Sequence, residues 1–291
     1  MKVSIARRGV FAGVLLATVL AGASAVGLTR ASQPAAAEAN PPAEQIFERY
    51  IEAIGGERAV RSIRNRRIEG TFEGAPFGGT ARLKVWADAP DKIHIQIREP
   101  LGMKLDIYYT GEYGWESIDG GEPRPIYGPR LVELAESAQF YGEAGYKDRY
   151  TEYETVGSGE YKGDPVWAVR AVSEAGRARR LFFDQATGLF VAEQSSVARL
   201  GESGSLEARL VEVGHANYTE IGGVLYPTRQ TQHIEGDEKP IILDYATVLV
   251  NVDDEHEYFP PAEFRAKIEA RVDEIRRQAE QARQQRQNSG G

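Results

Sequence analysis

The sequence predicts a mainly β, α+β fold: an antiparallel meander behind one N-terminal helix, followed by a charged C-terminal helix. Three observations carry this. Residues 43–63 hold a helical apolar period. From Ile68 onward the period changes to two. Short strand-like runs then alternate with Gly-, Pro- and Asp-containing turns, which is the pattern of an antiparallel sheet with one dry and one wet face.

Taken in order, the chain opens with an export signal. Lys2, Arg7 and Arg8 precede an apolar run at 10–20, and Ala23-Ser24-Ala25 offers a small-residue cleavage site. The run is too short and alanine-rich for a membrane span. Val10 stands where a twin-arginine signal usually carries Phe, so the ordinary secretory route is expected. Residues 1–25 are read as signal peptide and 26–42, rich in Ala and Pro, as linker. The destination is the periplasm or another extracytoplasmic space. The chain has no cysteine. That excludes disulfides, thiol catalysis, cysteine zinc sites and a lipid anchor on this chain itself.

The domain proper is expected at 43–260. Ile46, Phe47, Tyr50, Ile51 and Ile54 form one helical stripe. Pro41-Pro42 precede it, and Gly55-Gly56 end it because glycine takes the left-handed conformation of a helix stop. A second short turn carries Ala59, Val60 and Ile63. Arg58, Arg61, Arg64, Arg66 and Arg67 follow, either as a solvated helix end or as a contact for lipid phosphate.

Strands are expected around 68–72, 81–87, 92–98, 105–109 and 113–115, with Lys92-Ile93-His94-Ile95-Gln96-Ile97-Arg98 the clearest alternation. A Gly/Pro-rich loop at 120–129 leads into a helix near 131–138, read as an insertion across the same sheet. Strands resume at 153–156. A turn is read within 157–164, and a strand, expected to be central because both its faces are partly apolar, at 166–172. Further strands span 179–184, 189–197, 206–218, 224–233 and 241–250. Residues 261–291 are read as an amphipathic helix, with Phe264, Ile268, Val272 and Ile275 on one stripe, and a tail that frays beyond Arg276.

Catalytic chemistry has little to stand on. The four histidines, His94, His215, His233 and His256, show no metal-ligand spacing. His94 is placed on a polar strand face. His215 and His233 are placed near each other across the Gly222-Gly223 hairpin, and 253–256 is read as an acidic loop. There is no nucleophile elbow and no nucleotide-binding glycine motif. A carboxylate pair for glycoside cleavage is the third-ranked reading. A net charge of −8 opposes nucleic-acid binding. No cofactor and no metal is expected.

Several segments, in order, resemble LolA-like proteins, the outer-membrane lipoprotein-sorting and lipoprotein-carrier superfamily. They are YIEAIGGERAVRSIRNRRIEGTF at 50–72, GEYGW at 111–115, LVELAESAQFYG at 131–142, VGSGEYKGDPVWAVR at 156–170, LFFDQATGLFV at 181–191 and IGGVLYPTRQTQ at 221–232. The resemblance covers about residues 43–260. It implies an incomplete antiparallel β-barrel, a half-barrel with helices covering its concave face. It also implies a non-enzymatic carrier whose partners are a lipid or lipoprotein acyl chain and an envelope transporter or outer-membrane acceptor. It brings no fixed binding motif. The candidate lining, chosen from the alternating strands, is Leu83, Val85, Ile93, Ile95, Ile97, Leu105, Ile107 and Tyr109. The competing reading is an envelope interaction module in which these residues are a filled core.

Overall fold

The structure is a computed structural model that describes residues 40–74, 79–100, 102–200, 206–258 and 262–289. The signal segment, most of the linker, the tip of the turn at 74–79 and Pro260-Pro261 lie outside the described residues.

Helix α1 (Ala43–Ala53) and the short α2 (Glu57–Ser62) come first. Gly55, at φ 121°, makes the stop between them, and any side chain there would strike the Gly223 carbonyl. Strands β1 (Asn65–Glu73), β2 (Thr80–Asp88), β3 (Lys92–Arg98), β4 (Lys104–Tyr109), β5 (Gly114–Ile118) and β6 (Arg124–Ile126) follow. After them come α3 (Pro129–Ala138), a 3-10 turn (Gly142–Gly145) and α4 (Tyr146–Arg149). The second strand series is β7 (Tyr150–Tyr161), β8 (Asp164–Ser173), β9 (Ala178–Asp184), β10 (Phe190–Leu200), β11 (Leu206–Ile221), β12 (Val224–Ile234) and β13 (Ile241–Val250). Helix α5 (Ala262–Ser289) ends the described chain.

All thirteen strands join one antiparallel sheet in the order β6-β5-β4-β3-β2-β1-β13-β12-β11-β10-β9-β8-β7. The chain therefore walks from β1 to one edge, crosses to the other edge, and walks back until β13 pairs with β1. That crossing is the α3–α4 segment, so the predicted insertion does lie across the same sheet. Both edges carry features that discourage further pairing. β6 is short and contains Pro125, while β7 has register shifts at 150–152 and 155–157.

Several local expectations are corrected. Strand β6 sits inside the segment read as loop. Residues 142–149, left unassigned by the sequence reading, are helical. The turn expected within 157–164 is present as Lys162-Gly163, both at positive φ, while the start of that stretch, to Tyr161, belongs to a bulged edge strand. β8 is interior, with both faces largely buried, but it lies one in from the edge. α5 continues past Arg276 to Ser289. Ile268 is buried, and Lys267 and Arg276 pair with Glu122 and Glu112 beside β5 and β6. Phe264's side chain lies outside the described residues.

One face of the sheet is covered by the helices, through two packed clusters. α1 places Phe47, fully buried, among Tyr146, Tyr150, Tyr153 and Phe183. This cluster extends onto β8–β10 through Val169, Leu181 and Phe190. α3 sets Leu134 and Ala138 against Leu83, Ile97, Ile107 and Tyr109. Gly114 permits that approach, since a Cβ there would lie 2.8 Å from Leu131 and 2.9 Å from Leu134 side-chain carbons.

Candidate functional site

Between these two clusters the helix-covered face is not filled. A cavity of about 410 Å³ opens there. Its wall takes residues from β1–β3 and from β9–β13, strands from both halves of the sheet, and from α1, α2 and the α3–α4 crossing. Strands so far apart in the sheet order meet one space only because the sheet curls around it. An open sheet curled under covering helices is an incomplete barrel.

Four of the sequence-chosen lining residues, Leu83, Val85, Ile93 and Ile95, are in the cavity wall. The other four, Ile97, Leu105, Ile107 and Tyr109, lie in or against the packed cluster beneath α3 and do not reach it. All eight share the helix-covered face, as the cross-strand pairs Leu83↔Ile97↔Leu105 and Val85↔Ile95↔Ile107 require. What decides between them is where α3 lands. The apolar wall is completed by Phe72, Val213, Ile241 and Leu243, which sequence reading left out.

The wall also has a polar part that the sequence did not reveal. Arg149 pairs with Glu143 at 3.4 Å, and Arg179 with Glu136 and Glu193, each at 2.8 Å. The Arg179 and Arg149 guanidinium groups hold the buried Glu193 carboxyl below its usual range against the opposing effect of burial. His215 contributes two ring nitrogens without a hydrogen-bond partner, and burial keeps its imidazole below its ordinary pKa. His233 is exposed and pairs in register with Glu212, while His215 pairs with Gln230. The two histidines are thus three rungs apart on opposite faces, correcting the expected approach. Arg66 faces the cavity too, donating from Nη2 to the Phe140 carbonyl and lying over the Phe140 ring at 4.3 Å.

Over β2–β5 the opposite face of the same sheet is covered. Trp86, His94, Tyr108 and Trp115 are consecutive cross-strand partners on β2–β5. Their rings stack at 4.7, 3.6 and 3.6 Å. Residues 252–258 run over this ladder as a strap. His256 lies on Trp86, and its Nε2 shares a 2.8 Å hydrogen bond with His94 Nδ1. Trp115 Nε1 donates to the Tyr258 carbonyl, and Arg67 reaches Asp88 at 2.8 Å and Asp254 at 2.6 Å. His94 is therefore buried rather than on a wet face. The acidic loop holds Asp254 for Arg67 and His256 for His94.

The geometry defines the fold: an incomplete antiparallel barrel, an open sheet with helices over its hollow side. Solved structures similar to this chain bear that out at the level of fold. A DUF1329 family protein from Desulfovibrio piger aligns with TM-score 0.53 and 12% identity over 77% of this chain and 100% of its own. A LolA superfamily protein from Nitrosomonas europaea aligns with TM-score 0.50 and 14% identity over 76% of this chain and 99% of its own. A domain assigned to outer-membrane lipoprotein sorting from Vibrio parahaemolyticus aligns with TM-score 0.51 and 13% identity over 73% of this chain and 95% of its own. No protein-family model matches the sequence, and no curated protein matches it. Among the described residues no helix is long and apolar enough to cross a membrane.

Proposed function

We propose that this protein is a periplasmic, non-enzymatic carrier or accessory protein that holds an acyl chain of a lipid or lipoprotein in the cavity under its helices. The observation that carries the reading is the unfilled space itself. Its volume of about 410 Å³ falls in the range of small-molecule sites, about 300–1,000 Å³. Leu83, Val85, Ile93, Ile95 and Phe72 give it an apolar wall. The solved half-barrel from Vibrio parahaemolyticus, assigned to lipoprotein sorting, supports the same direction.

The energetics suffice without any reaction. Burying a methylene yields about 0.8 kcal/mol. A chain with about fifteen buried would gain on the order of 12 kcal/mol at most, and immobilisation would remove several of these. The acceptor or donor would be an envelope transporter or an outer-membrane protein. The alternative of a solid interaction module is disfavoured by the cavity. Native mass spectrometry of the purified full chain tests the proposal: adducts in the lipid mass range are expected, and extraction should identify acyl chains. A bare chain that also fails to take up added fatty acid would overturn it.

A further inference from the structure

Adjacent residues Arg66 and Arg67 point to opposite faces of the sheet and meet opposite fates. Arg67, on the outer face, has two carboxylates. Arg66, on the cavity side, has none within ion-pair range among the described residues. The other two arginines of the cavity wall, Arg149 and Arg179, are both matched by glutamates. Among the described residues, Arg66 is thus the one cavity-wall guanidinium left without a countercharge.

Its surroundings are aromatic and neutral. Burial pushes its pKa down, and the groups that resist this most are the phenols of Tyr226, Tyr245, Tyr50 and Tyr141. Phenol oxygens favour a cation but do not neutralise it, and burial pushes the Tyr245 phenol itself up to about 12. Arg66 lies over the Tyr226 ring at 5.2 Å as well as over Phe140. A guanidinium has five N–H donors. Nη2 donates to the Phe140 carbonyl, while Nε is buried with no partner. Tyr226 and Tyr245 also line the wall. A buried, unpaired charge is costly unless something neutralises it. The same wall presents free donors and an apolar chain-sized space.

We propose that Arg66, with Tyr226 and Tyr245, is an anion site for the head of the cavity's ligand, which is therefore a hydrocarbon chain ending in a carboxylate or phosphate. This rests on the reading of the cavity as an acyl-chain site, and it narrows the ligand. The neutral ester- and amide-linked chains of a lipoprotein offer Arg66 no charge, whereas a free fatty acid or a phosphate-headed lipid does. Two short charge-assisted hydrogen bonds to one anion would use the guanidinium fork as it uses carboxylates elsewhere.

The test is displacement of the neutral dye Nile red from the full chain by dodecanoate, dodecyl phosphate and dodecanol. Wild type is expected to bind one or both anions about tenfold or more tighter than the alcohol; whichever anion leads identifies the source of the head. Arg66→Met should bind all three alike, near the affinity of wild type for dodecanol. Retained alcohol binding shows that the variant is folded and the cavity intact. Arg66→Lys should recover part of the preference. Equal binding of anion and alcohol by wild type, or a preference that survives in Arg66→Met, overturns the anion site while leaving the cavity reading intact. Failure of all three ligands and the dye to bind wild type overturns both.

Discussion

The two faces of this sheet are made from the same strands and are finished differently. On the outer face, Trp86, His94, Tyr108 and Trp115 stack across four strands, and the strap at 252–258 brings His256 to His94, Asp254 to Arg67 and the Tyr258 carbonyl to Trp115. On the helix-covered face, α1 and α3 each pack tightly but leave a cavity between them, with Arg66 Nε and both His215 ring nitrogens lacking a hydrogen-bond partner. Burial is normally accompanied by hydrogen bonding. A face that achieves both needs nothing more, whereas one that stops short of both has room for a guest.

The largest effect that sharpens this contrast is packing. Phe47→Ala in the filled cluster should cost about 3–5 kcal/mol in denaturant unfolding. Val85→Ala in the cavity wall should cost about 1 kcal/mol, because its neighbours already border space. Equal losses would mean that the cavity is packed in solution.

The next effect compares the two arginines. Arg67→Met leaves Asp88 and Asp254 facing each other without their cation. It should lower stability by about 2 kcal/mol, less than for a fully buried pair because Asp254 is 42% exposed. Arg66→Met strands no carboxylate and should leave the empty protein within about 1 kcal/mol of wild type, or more stable.

The outer face should also respond to pH. Burial, then His94 and Arg67, push His256 down to about 4, and burial likewise lowers His94 in spite of Asp106. Both groups bind protons more weakly folded than unfolded. Their contribution is therefore complete above the ordinary histidine pKa, about 6.5, and is lost as pH falls from there toward about 4. Asp106 and Asp254 are held below their usual range, so their contribution is lost only further into acid. Thermal unfolding followed across this range should show a loss that begins near pH ~6.5 and is reduced in His256→Asn. The smallest effect belongs to α5: Glu112→Gln removes an exposed pair with Arg276 and should leave the unfolding midpoint unchanged within error.

Much of this architecture was legible in the sequence. Alternation in 92–98 and 81–87 gave the face of each residue correctly, since side chains on a strand alternate strictly. The stop at Gly55-Gly56 and the crossing at 131–138 followed from local chemistry. What alternation does not give is how far along a strand its covered face is filled. That depends on where α3 settles, and so Ile97, Leu105, Ile107 and Tyr109 were chosen alongside Leu83, Val85, Ile93 and Ile95 although they lie beneath the helix. Cross-strand register was also out of reach. His94 reads as polar in its own strand, and only its neighbours Trp86 and Tyr108 and the distant His256 make it buried. Arg66 and Arg67 read as one basic run, although adjacent strand residues must face apart. Within 157–164 the sequence placed a turn but not its position, because glycine in a bulged edge strand has the same local signature as glycine in a turn.

The central claim is that the space under the helices is open to a hydrocarbon chain. Its most direct test is to fill that space from the wall and measure binding of dodecanol to wild type and Val85→Phe by Nile red displacement. The account predicts saturable binding to wild type and none to Val85→Phe, with the variant as stable as wild type because the larger side chain enters empty volume. Undiminished binding by the variant, or the loss of about 1–3 kcal/mol that overpacking a filled core produces, would contradict it.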